Sequence, residues 1–268
     1  MPNLLVRPAT PDASGLIHRI TPESAGWTYV GFAVYRLAPG QEIRDRLHDR
    51  ETCLVLLSGR ASVSADGKSF GTIGGRASPF EPDPWSFYAP AGAEWSARAE
   101  TECEIAVCTA PAQGKLPARI IPPAAVGQEV RGKGTNTRHV RNILPETEPA
   151  ESLLVVEVIT PSGHWSSYPP HKHDRDALPD ESLLEETYYH RLDPPQGYAV
   201  QRVYTDDRSL DETMAVSDRD VVLVPRGYHP VGAAHGYDLY YLNVMAGPKR
   251  IWRFHNDPAH EWMLAPTG

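Results

Sequence analysis

Residues 166–174 read SSYPPHKHD, and this segment places His171 and His173 on either side of a single lysine. Side chains alternate along an extended strand, so residues two positions apart point to the same face. Two imidazoles on one face can bind the same metal ion. The segment therefore predicts a strand that carries part of a metal site, with the remaining ligands supplied by neighbouring strands.

Proline and glycine interrupt the whole chain on both sides of this segment. The 268 residues include 26 prolines and 21 glycines, which separate short apolar runs at intervals of roughly ten residues. Runs typical of strands occupy residues 28–37, 53–59, 60–65, 86–92, 104–108, 153–160, 186–191, 197–204, 220–229 and 237–245. Residues 179–184 favour a short helix. The pattern as a whole predicts an all-β protein.

The two halves of the chain repeat one order of features. In the first half a Pro-Gly turn precedes His48 and Glu51, and Trp95 follows a later proline turn. In the second half a glycine turn precedes the paired histidines, and His229 follows a Pro-x-Gly turn. Such repetition predicts two similar barrels in tandem, residues 1–125 and 126–268. Because the first half has too few imidazoles, we expect it to be structural, with a degenerate metal site.

The second half carries the residue types of a complete metal site. Three neutral imidazoles and one carboxylate suit a borderline divalent ion, with Zn²⁺ the first choice and Mn²⁺, Fe²⁺, Co²⁺ and Ni²⁺ as alternatives. His171, His173 and His229 supply the nitrogens. Glu186 is the preferred oxygen ligand, because it directly opens an apolar strand, and Glu185 is the alternative. A single histidine is more often a surface or core residue, so the combination carries the prediction.

Composition excludes several classes of function. A net charge of −8 argues against a nucleic-acid partner and against an anionic membrane surface. No run reaches the roughly 18 apolar residues of a membrane span, and no signal peptide is visible. Cys53, Cys103 and Cys108 form no CxxC pair, and an odd count suits a reducing compartment, so we expect a cytoplasmic location. Exposed barrel edges favour a homodimer.

Long runs of the chain resemble the 5-deoxy-glucuronate isomerases (IolB-type) of bacterial inositol catabolism, in the cupin superfamily. These runs are residues 163–174, 185–190, 201–212 and 236–248. The resemblance implies a bicupin, with two tandem jelly-roll β-barrels. It also implies an aldose–ketose isomerase that converts 5-deoxy-D-glucuronate, a small sugar acid, to 2-deoxy-5-keto-D-gluconate. The ketol-isomerases of pectin-derived deoxy-keto uronates are a related family.

Aldose–ketose isomerisation needs a base for the carbon-bound proton and a positive partner for the enediolate charge. A Lewis-acid metal can supply the positive charge. Candidates for the base are Glu185, Tyr188 and His190, although Tyr188 could equally pack in the barrel and His190 could lie at the surface. Glu186, Tyr188 and His190 share one strand face by alternation.

The substrate carboxylate calls for an arginine, because a guanidinium pairs with it bidentately. The candidates for substrate binding are Gln201, Arg202, Arg208, Tyr228, Tyr241 and Arg250. Arg202 is preferred among the arginines, since it lies in the middle of a strand of the metal-bearing half. The two tyrosines could bond sugar hydroxyls or simply pack. The basic run 131–141 is either a solvated loop or a loop that reaches over an acidic substrate.

Two other functions fit the same residues. An iron-dependent bicupin dioxygenase would use the same ligands for a different reaction and would consume oxygen. A non-catalytic sugar-binding bicupin belongs to another class, and the retained ligand set disfavours it. Oxygen uptake and metal content separate these alternatives from an isomerase.

Overall fold

The computed structural model describes residues 3–81 and 84–264. Strands of the first part of the chain are β1 (Leu5–Val6), β2 (Leu16–Ile20), β3 (Gly31–Leu37), β4 (Glu42–Arg46), β5 (Arg50–Ser58), β6 (Arg60–Ala65), β7 (Lys68–Gly74), β8 (Ser86–Ala89), β9 (Glu94–Ala99), β10 (Cys103–Pro111) and β11 (Arg119–Ile121). A short helix, α1, covers Pro22–Ala25. No helix in these two ranges is long and apolar enough to cross a membrane.

The second part of the chain is also built of strands. These are β12 (Gly127–Arg131), β13 (Arg138–Leu144), β14 (Leu154–Thr160), β15 (Trp165–Ser166), β16 (His171–Lys172), β17 (Asp174–Ala177), β18 (Glu181–Leu183), β19 (Glu185–Asp193), β20 (Ala199–Tyr204), β21 (Asp211–Val216), β22 (Val221–Val224), β23 (Val231–Ala233), β24 (Asp238–Ala246) and β25 (His255–Asn256). Short 3-10 turns cover Pro123–Ala125, Gly134–Asn136 and Pro258–Leu264.

Each half consists of two sheets that face each other. In the first half, a six-stranded sheet (β11-β8-β5-β10-β3-β2) packs on a four-stranded one (β4-β9-β6-β7). Leu54 and Phe87 from the former meet Val63 and Trp95 from the latter. The predicted all-β bicupin fold is confirmed, although hydrogen bonding does not close the sheets into complete barrels.

The second half pairs a seven-stranded sheet with a four-stranded one. Their orders are β1-β22-β19-β24-β14-β13-β12 and β15-β23-β20-β21, and two small ribbons, β16-β25 and β17-β18, flank them. Val156 and Tyr188 of the large sheet pack against Val203 and Val231 of the small one. Because β1 pairs with β22, the start of the chain joins the second half. This pairing departs from the prediction that residues 1–125 form one barrel.

The two large sheets also pack against each other, back to back. Residues of β5 and β19 alternate between this interface and the interior of their own half, so Val55 and Tyr189 lie in the shared core. Buried ions cross the same interface: Glu157 accepts hydrogen bonds from Arg76 at 2.9 and 3.0 Å. Glu104 accepts one from Arg191 at 2.7 Å. The halves are therefore joined by apolar contact and by satisfied buried charges.

Two buried carboxylates, one from each half, hold the backbone of the other half. Glu51 accepts hydrogen bonds from the N–H groups of residues 151–153 at 2.6–2.8 Å. Glu185 accepts them from the N–H groups of residues 28–30 at 2.6–3.0 Å. We call these two contacts the reciprocal clasps. Each carboxylate satisfies three backbone donors that would otherwise need another partner.

The reciprocal clasps correct the register of the internal repeat. Glu51 lies opposite Ala110 on β10, and Glu185 lies opposite Ala246 on β24. Glu185 is therefore the counterpart of Glu51, and Thr52 of the first half takes the place of Glu186. Glu186 is displaced from this position by one residue and hence lies on the opposite face of the strand.

Two local predictions were wrong. Residues 179–184 form a turn and strand β18, not a helix, and Ser182 and its backbone bond to Arg253 of the C-terminal segment. The basic run 131–141 is a loop only over residues 132–137, since its two ends belong to the β12–β13 hairpin. Tertiary pairing decides both segments, and their local composition does not reveal it.

Candidate active site

Strand β19 divides its side chains between two environments. Tyr189 and the carboxylate of Glu185 face the first half, in the shared core and in a reciprocal clasp. Tyr188 faces the core of the second half, and Glu186 and His190 share that face by alternation. All five residues from 186 to 190 are buried. A buried carboxylate on the inner face needs a cation or hydrogen-bond donors around it.

His173, Glu186 and His229 form a tight buried group. One ligand atom from each lies within 4.8 Å of the other two. Nε2 of His173 is 3.1 Å from Oε2 of Glu186, and Nε2 of His229 is 3.3 Å from the same oxygen. Two imidazole nitrogens and a carboxylate oxygen therefore converge on one point, as a divalent cation requires.

Backbone carbonyls fix the orientation of the two imidazoles. Nδ1 of His173 lies 3.0 Å from the Leu184 carbonyl oxygen, and Nδ1 of His229 lies 2.9 Å from that of Gly227. Each Nδ1 therefore carries a proton and donates it, so in the neutral ring the lone pair is on Nε2, the nitrogen that could bind a cation. Nε2 of His229 is buried and has no hydrogen-bond partner among the described residues. This donor set fits a metal ion.

His171 lies beside this group but is not one of the three residues whose ligand atoms lie within 4.8 Å of one another. Its ring centroid is 4.9 Å from that of His229 and 6.5 Å from that of His173. Its ring also packs on that of Phe254, whose centroid is 4.5 Å away. Burial lowers the pKa of His171 well below its usual value and that of His229 to about 4. Both imidazoles are thus neutral near pH 7, the form that can bind a cation.

We call His173, Glu186 and His229 the metal group, after their candidate role. Buried polar side chains, which we call the polar row, continue from this group into the interior of the second half. The Tyr188 hydroxyl lies 2.9 Å from Oγ of Ser167, and Tyr188 packs on Tyr241 with ring centroids 4.8 Å apart. Nε2 of His190 lies 2.9 Å from Oε1 of Gln201. Nδ1 of His190 and Nε2 of Gln201 find no hydrogen-bond partner in the described ranges. Such open donors and acceptors mark where a polar ligand can bind.

The family model that describes the KduI/IolB family matches residues 4–263. The chain belongs to the KduI/IolB family. One relative of the chain, named 5-deoxy-glucuronate isomerase, comes from Geobacillus kaustophilus and is 58% identical over 98% of this chain and 96% of its own. A relative of the same name from Bacillus subtilis strain 168 is 50% identical over 98% and 99%.

Solved structures agree with this membership of the KduI/IolB family. An IolB-like protein from Salmonella typhimurium LT2 superposes with a TM-score of 0.95 and 55% identity, over 98% of this chain and all of the other. The oxalate decarboxylase of Lactobacillus farciminis, in a formate complex, gives a TM-score of 0.67 at 14% identity, over 96% of this chain and 89% of its own. The latter likeness concerns the fold alone.

Of the residues predicted for catalysis, Tyr188 and His190 lie in this family member's polar row, and Glu185 does not. The Glu185 carboxylate belongs to a reciprocal clasp and is saturated by three backbone N–H groups. It therefore points away from His173 and Glu186. In this position Glu185 can act neither as the base nor as the alternative ligand. The cause is the alternation of β19, which sends adjacent residues to opposite faces.

Four of the predicted substrate-binding residues also lie elsewhere, whereas Gln201 and Tyr241 line the polar row. Arg202 makes a bidentate pair with Asp211, with both distances 2.7 Å, and its side chain is 42% exposed. Arg208 stacks on the ring of Tyr204 at 4.1 Å. Both arginines therefore serve the outer surface of the small sheet.

Tyr228 and Arg250 have structural partners as well. The Tyr228 hydroxyl donates to Asp206 at 2.8 Å. Arg250 donates to the backbone carbonyls of Leu153 at 2.7 Å and of Pro145 at 2.6 Å, and so fixes the chain after β24. Neither side chain bonds to the metal group or to the polar row.

Several residues of the site were not predicted from the sequence. Ser166 and Ser167 bond the hydroxyls of the two tyrosines, and Phe254 covers His171. Arg138 reaches the same loop, since its Nη1 donates to the Tyr168 carbonyl at 3.3 Å. The two serines lie within the quoted segment 166–174, so their closeness to the His-x-His pair could have revealed them. Phe254 is distant in sequence from the His-x-His pair, so nothing in the sequence links it to the site.

Proposed function

We propose that this protein is a 5-deoxy-glucuronate isomerase, an enzyme of inositol catabolism that converts 5-deoxy-D-glucuronate to 2-deoxy-5-keto-D-gluconate. The observation that carries the proposal is the convergence of His173, Glu186 and His229 beside a buried row of hydroxyl and imidazole groups. Relatives that cover nearly the whole chain at 50–58% identity bear that name. Such a site suits a small polar substrate that must be shielded from water.

The same proposal assigns one divalent cation to each chain. His173, Glu186 and His229 would hold it, with His171 as the adjacent fourth ligand. Zn²⁺ is our first choice, and Mn²⁺, Fe²⁺, Co²⁺ and Ni²⁺ suit the same donors. When bound, the cation supplies a Lewis acid that stabilises negative charge on the substrate oxygens. We assign a structural role to the first half, where Thr52 takes the place of Glu186.

His190 is the base in this proposal. Its Nε2–H donates to Oε1 of Gln201, so the lone pair is on Nδ1, which is buried and has no partner among the described residues. Burial lowers the pKa of His190 to about 4, so the ring is neutral at pH 7 and its Nδ1 lone pair carries no proton. Gln201 fixes the tautomer and orientation of the ring. His190 can thus take the carbon-bound proton and return it to the neighbouring carbon.

Tyr188 and Tyr241 bind the substrate oxygens in this proposal. Burial raises the pKa of both phenols, so the hydroxyls stay protonated. Each lies at hydrogen-bond distance from a serine, Tyr188 from Ser167 and Tyr241 from Ser166. A hydroxyl that is held in this way can donate to one oxygen and accept from another. The pair can therefore carry the proton that moves between the two substrate oxygens.

The direct test is product analysis with 5-deoxy-glucuronate. We expect the metal-loaded protein to form 2-deoxy-5-keto-gluconate without consuming oxygen, because isomerisation leaves the oxidation state of the substrate as a whole unchanged. Removal of the metal with a chelator should abolish turnover, and added divalent ion should restore it. Metal analysis should give one ion per chain.

Two outcomes would contradict this function. Oxygen uptake in proportion to the substrate consumed would point to a dioxygenase. Binding of the sugar acid without turnover, unchanged by the chelator, would point to a non-catalytic binding protein. Full turnover after complete metal removal would refute the metal site but not the isomerase.

The His190→Gln variant tests the proposed base. Glutamine can still donate a hydrogen bond to Gln201, but it lacks the lone pair that Nδ1 of the imidazole provides. We expect kcat to fall by about 10²–10⁴-fold, the range typical of a lost general base, with the metal content unchanged. Steady-state kinetics and metal analysis check this result. A kcat within a few-fold of the wild type would remove His190 from the mechanism.

Three free thiols support a reducing compartment. Cys53, Cys103 and Cys108 are all buried, and none of them forms a disulfide. Cys53 and Cys108 lie opposite each other on β5 and β10 and remain thiols. We therefore assign the enzyme to the cytoplasm. The homodimer expected from the sheet edges stays a prediction.

A further inference from the structure

Arg138, on the inner face of the β12–β13 hairpin, has no carboxylate partner among the described residues. It alternates with Val140, which lies in the core of the second half, so both side chains point toward the barrel interior. Its Nη1 donates to the backbone carbonyls of Asn136 at 3.1 Å and of Tyr168 at 3.3 Å. Tyr168 belongs to the loop that leads to His171.

The rest of the guanidinium is open. No described residue accepts a hydrogen bond from Nε or Nη2 of Arg138, and these two nitrogens form the side edge that pairs with a carboxylate. Because Nη1 is bonded to two backbone carbonyls, the orientation of that edge is fixed. A fixed, open donor edge in a partly buried position is a preformed anion site.

Arg138 is also repelled by the positive charge of a neighbouring arginine. Arg138 lies directly opposite Arg131 across the β12–β13 ladder, and like charges at such positions destabilise a sheet. Arg131 is relieved by Glu129, whose Oε1 is 2.6 Å from its Nη2. Arg138 uses Nη1 to hold two backbone carbonyls, and the Glu129 carboxylate attracts it without an ion pair among the described residues, so part of this charge cost remains. An anionic ligand would relieve it.

Arg138 lies next to the polar row, because its Nη1 donates to the Tyr168 carbonyl and the adjacent Ser167 bonds the Tyr188 hydroxyl at 2.9 Å. Burial lowers the pKa of Arg138, and the phenols of Tyr241 and Tyr188 are among the groups that raise it in return. Burial is also the main cause that raises the pKa of Tyr241, and the charge of Arg138 opposes that rise.

The other cations near the site are already paired. Lys172 is held by Asp174 at 3.0 Å and by Asp206 at 2.8 Å. Arg202 is paired with Asp211, and Arg250 is occupied by backbone carbonyls. Within the described ranges, Arg138 is thus the cation of this region that has an open bidentate edge.

We propose that Arg138 binds the carboxylate of a sugar-acid substrate and so selects uronates over neutral aldoses. The inference rests on the proposed function and names the residue that recognises the acid group. Nε and Nη2 would each donate to one carboxylate oxygen. The hydroxyls of Tyr188 and Tyr241 then face the chain of the sugar, between its acid end and the metal group.

The test compares charged and neutral ligands in Arg138→Gln, Arg138→Lys and a control, Arg202→Gln. The control removes an arginine of the same half that is exposed and paired at the surface. For Arg138→Gln we expect kcat/KM for 5-deoxy-glucuronate to fall by about 100-fold, mainly through KM, as for a lost charge-assisted pair. The matched aldose with a hydroxymethyl group in place of the carboxylate should react equally with variant and wild type. Arg138→Lys should fall in between, and the control should be unchanged.

A binding measurement makes the test independent of turnover. Calorimetry with D-glucuronate as the charged probe and D-glucose as the neutral one should show at least a tenfold weaker uronate affinity in Arg138→Gln and equal glucose affinity. Equal uronate affinity in variant and wild type, or equal losses for both probes, would overturn the role of Arg138. If the wild type binds glucuronate through Arg138 but does not isomerise 5-deoxy-glucuronate, the proposed function fails and the carboxylate site stands. If Arg138→Gln does not fold, Arg138→Lys decides, because a lysine retains the charge without the bidentate edge.

Discussion

Replacement of His229 by alanine is expected to remove the metal and the isomerase activity together, while the fold is retained. His229 supplies a buried Nε2 that has no hydrogen-bond partner among the described residues and faces the Glu186 carboxylate at 3.3 Å. Without it, only His173 and Glu186 remain of the three closely spaced ligand candidates. Since a catalytic metal supplies several kcal/mol of transition-state stabilisation, kcat/KM should fall by at least about 100-fold. Metal analysis of the purified variant should give less than about a tenth of an ion per chain.

The matched control is His139→Ala, which removes an exposed histidine from β13 of the same half. That variant should keep its metal and its activity. Circular dichroism should show that both variants retain the β-sheet signal. A His229→Ala protein that holds a full equivalent of metal and remains active would exclude His229 from the ligand set.

The Glu157→Gln variant is expected to lose about 3–5 kcal/mol of stability, the usual cost of breaking a buried ion pair. Glu157 is fully buried and accepts from both Nη atoms of Arg76, from Arg141 at 2.8 Å and from Tyr240 at 2.8 Å. Glutamine has nearly the same volume but leaves the buried Arg76 guanidinium without a counter-charge. Thermal unfolding should therefore show a Tm lower by roughly 10 °C.

Asp211→Asn is the surface control, since its pair with Arg202 is partly exposed and should contribute less than about 1 kcal/mol. The active site should remain intact in both variants at moderate temperature, because Glu157 faces the interface between the halves. An unchanged Tm for Glu157→Gln would mean that the buried cluster does not contribute to stability.

The same cluster predicts how stability depends on pH. Burial alone would raise the pKa of Glu157, but Arg76 and Arg141 outweigh it and hold the pKa below the ordinary value of 4.5. A carboxylate with a lowered folded-state pKa contributes stability above its unfolded pKa and loses it as the pH falls toward the folded value. The Tm difference between wild type and Glu157→Gln should therefore be full at pH 7 and shrink below about pH 4.5.

The sequence predicted those parts of the site that depend on residue type and spacing. His171 and His173 flank one lysine, and Glu186 opens an apolar strand, so their chemistry could be inferred before any geometry. Strand alternation also predicted that Glu186, Tyr188 and His190 share a face, and burial on the inner side of β19 agrees with it. The all-β class followed from short apolar runs separated by turns.

Other residues could not be assigned from sequence, because their roles depend on which strands are neighbours. Arg202 was preferred for its position in the middle of a strand, yet its side chain points outward to Asp211 while Gln201 points inward. Glu185 and Glu186 are adjacent and chemically identical, and only the sheet register separates a reciprocal clasp from the metal group. Arg138 lay in a basic run that was either a solvated loop or a loop over an acidic substrate, and its inward direction on β13 depends on the pairing of β12 with β13, which is tertiary information.

The reciprocal clasps explain how the first half supports the second, which carries the group of His173, Glu186 and His229. Each half shields a carboxylate of the other half from water. The N–H groups of residues 151–153 bind Glu51 of the first half, and those of residues 28–30 bind Glu185 of the second. Deletion of either half would leave three backbone donors and one buried charge without partners, so a half-length gene product loses far more than an interface. Glu185 is next to Glu186 on the same strand, so the contact with the first half also anchors the strand that carries the Glu186 carboxylate. The first half is thus part of the frame that holds strand β19 of the second half.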